Sequence, residues 1–201
     1  MATPAVSFNP AITTNFPGTF SIQSQGYVQG TFLDDPAVRY QLAGGILAST
    51  ETIPMWGGVG ITEAVPGLSA QQVALNGTLT RATAYTNLTG FSVFTQGSAM
   101  VMTPQSRVPT SGSYGAVNFF RFGSNARIVV ACSSTLAAAV VGGAINQQVS
   151  WDFVNQVLIA FSSTALNCKV LAANVGNSKI VTYVSPYANW THNGSTCVIQ
   201  I

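Results

Sequence analysis

The chain has 201 residues, 47% of them apolar and only 6% charged, with seven basic and five acidic side chains and a net charge of +2. That length supports one sizeable domain or two small ones sharing a core. Charge far below the usual quarter excludes charge-rich disorder. The lack of any basic run leaves no face to neutralise phosphates, so nucleic acid is not an expected partner.

Residues 1–33 carry no charged side chain and contain Pro4, Pro10 and Pro17. Proline fixes φ and removes a backbone donor, so this stretch reads as an extended N-terminal arm with one strand within Tyr27 to Leu33. Phe8, Ile12, Phe16, Phe20 and Ile22 make it too apolar for a freely solvated tail. With no ion to strip of water, burial against a partner is cheap, and these five are the candidate intermolecular contacts. No basic residue precedes Arg39 and no apolar signal core is visible, so no signal peptide is expected.

Residues 34–201 read as a single β-rich domain. Asp34-Asp35-Pro36 opens a short helix, with Asp35 as cap and Pro36 in the first helical position. Val38 and Leu42 share one face of it, and Gly44-Gly45 ends it. No other helix is expected with the same clarity. Trp56 is followed by Gly57, Gly58 and Gly60, the residue type used where another segment comes too close for a Cβ. The indole is expected to lie over bare backbone at a bend between two strands. Neither the Walker spacing nor G-x-G-x-x-G occurs, so these glycines do not read as a phosphate cradle.

From Ile53 onward the pattern is β, with strands near 58–64, 71–86 and 89–103 and a loop over Met102 to Gly115. Val117 to Phe122 and Ala126 to Ala131 flank Gly123-Ser124-Asn125 and read as a hairpin. Ile128 to Ile145 is uncharged for eighteen residues, about the minimum to span a bilayer. Ser133-Ser134-Thr135 interrupts it, so its halves fit two buried strands, or a strand and a short helix, and no membrane partner is expected. A second hairpin pairs Gln148 to Phe153 with Val157 to Phe161. Val149, Trp151 and Phe153 alternate there with Ser150 and Asp152, giving one buried and one wet face. Cys168 to Val175, Lys179 to Val184 and Thr196 to Ile201 close the chain as strands, with turns at Gly176-Asn177 and Asn193-Gly194. The fold class is therefore mainly β: a β-sandwich or jelly-roll-like barrel with one short helix and the arm.

Catalytic chemistry is thin. His192 sits in the turn-like NWTHNG without the neighbouring nucleophile and acid that a triad needs, and G-x-S-x-G is absent. A glycoside hydrolase needs two facing carboxylates. Of the five, Asp34 and Asp35 read as a helix cap and Asp152 as the wet face of its strand, paired with Arg121 or Arg127. Asp34-Asp35 also lacks the alternating oxygen ligands of a calcium loop. Cys132, Cys168 and Cys197 are widely spaced without C-x-x-C, so no zinc site is expected. They read as buried free thiols, with one disulfide plus one free thiol as the alternative. No catalytic residue, cofactor or metal is expected, and the chain does not read as an enzyme.

Several stretches carry a resemblance instead: Ile53 to Glu63 (IPMWGGVGITE), preceded by Asp34-Asp35-Pro36 and Leu42-Ala43-Gly44-Gly45. Gly90 to Phe94 (GFSVF), Asn118 to Ala131 (NFFRFGSNARIVVA), Gln148 to Gln156 (QVSWDFVNQ) and Asn174 to Ser178 (NVGNS) follow. Together they resemble a family of tailed-bacteriophage structural proteins. The resemblance implies a capsid decoration, or cement, protein on the phage head exterior, made in the host cytoplasm, with the major capsid protein as partner. Scarce charge beside abundant apolar residues adds self-association, as a homotrimer or a dimer. The alternative from another class is a tail or baseplate module binding a host surface glycan.

Overall fold

The computed structural model describes residues 26–33, 36–64, 77–94 and 108–201. Among these residues, eleven strands and two helices follow in chain order. They are β1 (Phe32–Leu33), α1 (Pro36–Arg39), β2 (Ala43–Leu47), β3 (Gly60–Ala64), β4 (Gly77–Arg81), β5 (Gly90–Val93), β6 (Ala116–Arg121) and β7 (Arg127–Ala131). After these come α2 (Ser134–Val141), β8 (Val149–Asp152), β9 (Val157–Ala160), β10 (Lys169–Val184) and β11 (Tyr187–Gln200). The mainly β fold expected from the sequence is present.

Five strands close a barrel in the order β2-β4-β3-β5-β6. Side chains alternate across a strand, so the registers put Leu47, Ile61, Leu79, Val117 and Phe119 on the inner face. All five are buried. Eight strands give a bore just wide enough for side chains, and five give less. Gly45 supplies the missing room: a Cβ there would stand 2.6 Å from Leu79 Cγ.

Outside the barrel runs a four-stranded sheet, β1-β7-β11-β10, and the separate hairpin β8-β9. The main core lies between them. Phe91, Val93 and Phe120 from the outer side of β5 and β6 meet Ile128, Val130, Cys197 and Ile199 of the sheet and Trp151 and Leu158 of the hairpin. Phe32 closes one side with its ring 4.6 Å from that of Phe120. Residues 26–33, assigned to the arm from sequence, are tied into the body. Lys179 N–H donates to Tyr27 O at 2.9 Å, Gly30 N–H donates to Val129 O at 2.7 Å, and β1 pairs with β7.

The structure corrects several expectations. The first helix ends at Arg39, and Gly44-Gly45 lie inside β2 rather than closing a helix. Asp34 and Asp35 lie outside the described residues, as do the five arm contacts Phe8, Ile12, Phe16, Phe20 and Ile22 and residues 102–107 of the expected loop. A second helix, α2, is present. Ser133, which reads as an interruption, is its N-cap and accepts a hydrogen bond from Leu136 N–H. Ile128 to Ile145 thus resolves into a strand and a short helix, and no helix among the described residues is long and apolar enough to cross a membrane.

The expected hairpin around Gly123-Ser124-Asn125 is an arch. Gly123 and Asn125 do take positive φ, 85° and 59°, but β6 pairs with β2 and β5 while β7 pairs with β1 and β11. Burial explains the divergence. Four consecutive residues of β7, Ile128 to Ala131, are all buried, as befits a strand covered on both faces. Likewise Gly176 (φ 72°) and Asn193 (φ 69°) do not reverse the chain. They sit within the long β10-β11 ribbon, where the register shifts between Asn174 and Ser178 and again between Ser178 and Ile180.

The β8-β9 hairpin is as expected, Val149 pairing with Ala160 and Asp152 with Val157. Trp151 is buried and Phe153 packs partly covered against the same core. Ser150 is a correction: it is buried, donating to Thr164 O at 2.7 Å and accepting from Ser162 N–H at 3.1 Å. Asp152 pairs with neither Arg121 nor Arg127. Its carboxylate accepts from the backbone N–H of Val154 and Asn155 and from the Asn155 side chain at 2.6 Å. The Asn155 side-chain bond is the leading reason its pKa lies below the ordinary value. A depressed carboxylate stabilises the fold above its unfolded pKa and loses that contribution as pH falls through the folded one. Asp152→Ala is therefore expected to cost about 1 kcal/mol at neutral pH, a gap that shrinks below about pH 4. Urea melts of both proteins across that range check it; a gap that persists undiminished at low pH would remove the carboxylate from the explanation.

Candidate interaction surface

The three described carboxylates, Glu51, Glu63 and Asp152, are each engaged within the fold. Glu63 on β3 is held by Arg121 on β6, whose Nε and Nη2 each donate to one carboxylate oxygen at 2.6 Å. That hydrogen-bonded pairing holds the Arg121 guanidinium above its ordinary pKa. Glu51 accepts from Arg81 N–H at 3.0 Å. The Arg81 guanidinium lies 4.3 Å over the Trp56 ring and donates through Nη2 to Pro54 O. Burial pulls its pKa down to about 10, against the opposing pull of Glu51 and Tyr183. Tyr183 stacks on the other partner of this group, Trp56, at 5.8 Å. Trp56 is thus packed by side chains. The indole that lies over bare backbone is Trp151, whose Nε1 would stand 3.1 Å from a Cβ on Gly60.

Beside the exposed Arg39, Arg121, Arg127 and Lys169, the described surface carries many neutral and apolar side chains. Tyr40 is 93% exposed, Val154 90% and Tyr114 75%. Val141, Ile145, Phe161, Val184 and Tyr187 are also well exposed. One contiguous piece can be read from register. On the outer barrel wall Ala116 pairs with Ile46, Ile46 with Thr78, and Thr78 with Ala64. All four are exposed, forming an uncharged row across β6, β2, β4 and β3. Asn118 and Gly44 form the start of a second row beside it.

Two clefts, one lined by Met55, Trp56 and Phe94 and one by Phe32, Leu42 and Phe120, offer about 70 and 50 Å³. Small-molecule sites usually begin near ~300 Å³. Among the described residues no group of three or more His, Cys, Asp or Glu side chains is arranged to hold a metal ion. His192 is exposed, but on strand β11 rather than in a turn. Ile46 and Tyr40 were not singled out from the sequence, because the expected helix up to Gly44-Gly45 holds Tyr40 and ends just before Ile46, whereas α1 ends at Arg39 and Ile46 lies in β2. No protein-family model, no curated protein and no solved structure matches the chain.

Proposed function

We propose that the chain is a non-enzymatic virion structural protein, a decoration or cement protein on the outside of a phage capsid. The motif resemblance supplies the virion setting. The observation that carries an assembly role is the sparsely charged surface: large apolar side chains stand exposed while Glu63, Glu51 and Asp152 are each engaged within the fold. Exposed apolar area of this kind marks interaction surfaces, and few charges need desolvating when a partner covers it. A protein that binds the assembled shell but not dispersed subunits shifts the equilibrium towards the shell by mass action. Its partners are the major capsid protein and its own copies, as a homotrimer at local threefold sites or a dimer at twofold sites.

Mixing the purified protein with undecorated expanded heads and, separately, with host cells tests this. Co-sedimentation with heads is expected; sedimentation with cells alone would favour the glycan-binding tail module instead. A variant lacking residues 1–22 is expected to keep its melting temperature while losing assembly or capsid retention, because Pro4, Pro10 and Pro17 limit that stretch as a central strand. Light scattering on both forms reads the oligomer, and a monomer at high concentration that is also monomeric on the head would sink the assembly role.

A further inference from the structure

The distal part of the β10-β11 ribbon leaves one sheet edge open. Val181, Tyr183, Ala188 and Trp190 pack against the barrel core, while Thr182 and Asn189 on the opposite face are exposed. Val181 pairs with Trp190, and Tyr183 with Ala188. Val181 N–H donates to the Gln29 side chain at 2.8 Å and so points away from β11. In an antiparallel ladder both members of such a pair turn N–H and C=O outward, and the pattern returns at every second residue. Trp190 and Ala188 therefore present theirs to the far side of β11. Among the described residues, no hydrogen bond from outside the ribbon reaches the backbone of either. The β10 side is occupied instead: Lys179 N–H donates to Tyr27 O and Gln29 N–H to Lys179 O, both at 2.9 Å.

The open stretch has fixed ends. Pro186 stands just before Tyr187. Past Thr191 the register shift sets His192 and Asn193 against Lys179 alone, a bulge with Asn193 at φ 69°. Between those ends, Tyr187 to Thr191 holds neither a charge nor a proline, the devices that guard an edge from pairing. Asn189 is its midpoint. We propose that this edge pairs with the same edge of a second copy, antiparallel and centred on Asn189. In that register Ala188 of each copy faces Trp190 of the other, and each such pair exchanges both of its N–H···O bonds. Every outward group at the two positions is then satisfied. The ends of the open stretch also coincide, because it is symmetric about its midpoint, and a second copy matches it from end to end. With no charge on the edge, the approach of two copies meets no like-charge repulsion. Asn189 meets its own counterpart across the axis as a non-hydrogen-bonded pair, with Cα atoms ~4.5 Å apart. A two-fold contact of this kind closes on itself, so the edge makes a dimer rather than a trimer. The pairing gives a surface to the self-association proposed above and rests on that part of it.

Asn189→Cys in the full chain tests the register, at an exposed position that the fold is expected to tolerate. All three native cysteines are free, with Cys132 and Cys197 buried. Oxidised glutathione is expected to convert most of the variant into a covalent dimer, mapped by mass spectrometry to position 189 in both copies, since a disulfide needs Cα atoms within ~7 Å. Thr182→Cys is the control. It is exposed on the same face, but three strand spacings, ~14 Å, separate the two copies of it, and it is expected to link at least roughly tenfold more slowly. Equal rates for the two variants, or links from position 189 to a native cysteine, would overturn the proposal. Hydrogen exchange on the parent chain reads the same edge without a substitution. The Ala188 and Trp190 amides are expected to be protected at high protein concentration and to lose that protection on dilution. Protection indifferent to concentration would mean that a segment of the same chain, such as residues 1–25, covers the edge. No protection at any concentration would mean that nothing does, and either result removes the dimer. Neither heads nor host cells enter these assays, so the capsid reading and the edge pairing can fail separately.

Discussion

Trp151→Ala is expected to destabilise the protein by about 3–5 kcal/mol, the range for a large aromatic removed from a packed core. Trp151 is 3% exposed, and its ring meets Phe91 edge-on at 4.8 Å. It also completes a polar knot. Gln156, buried at the β8-β9 turn, accepts from Gly60 N–H at 3.0 Å and from Trp151 Nε1–H at 3.4 Å. Its amide donates to Phe153 O and Ala82 O. The hairpin is thereby fastened to the barrel by the same side chain that seats the indole. Trp151 N–H also donates to the Tyr85 hydroxyl at 2.6 Å, a bond the alanine variant keeps. The loss is then mainly cavity, which the barrel wall at Gly60 cannot fill. Phe153 is only partly buried, meeting Tyr85 edge-on at 4.9 Å. Phe153→Ala is expected to cost less than about 3 kcal/mol, below the fully buried range. Thermal melts of the two variants give the comparison; unchanged midpoints for both would mean the strand's faces are reversed.

That hairpin was legible in the sequence because everything defining it lies within about a dozen residues. Alternation of Val149, Trp151 and Phe153 marks a face, and the turn follows at once. The barrel is different. Its closure depends on β2 meeting β4 in parallel and β6 in antiparallel fashion, pairings between distant segments that no local pattern encodes. Gly123, Gly176 and Asn193 do take positive φ, but φ > 0 serves an arch or a bulge as well as the turns expected there. Ser133 shows the same ambiguity, since a hydroxyl that ends a strand can also cap a helix. Partner choice was the least legible feature. Glu63 finds Arg121 and Glu51 finds Arg81 through the fold, whereas Asp152 satisfies itself within its own turn. The interaction surface could be foreseen only as a quantity, too little charge for the area, and not as the particular row from Ala116 to Ala64.

Gly30→Ala is expected to be the most damaging of the glycine-to-alanine changes compared here, because two penalties coincide. Gly30 has φ +81°, where an L side chain is strained, worth about 1–3 kcal/mol. Its Cβ would also stand 2.5 Å from both Cα and C of Gly57, which is backbone rather than a movable side-chain end. Overpacking of that kind adds about 1–3 kcal/mol, for a total of about 2–6 kcal/mol. The segment has little freedom to retreat. Gly30 N–H is bonded to Val129 O at 2.7 Å, and Gly30 O accepts from Phe94 N–H at 3.0 Å. Two other glycines separate the causes. Gly123 has φ +85° with nothing within 4 Å of an added Cβ, so Gly123→Ala carries only the conformational cost. Gly112 has neither positive φ nor a neighbour within 4 Å, and Gly112→Ala is expected to be neutral or to stabilise by up to about 1 kcal/mol. Urea unfolding of the three variants should therefore rank Gly112→Ala above Gly123→Ala above Gly30→Ala. If Gly30→Ala proved no worse than Gly123→Ala, the close backbone contact between Gly30 and Gly57 would have no energetic weight, and the tie between residues 26–33 and the barrel would have to rest on hydrogen bonds alone.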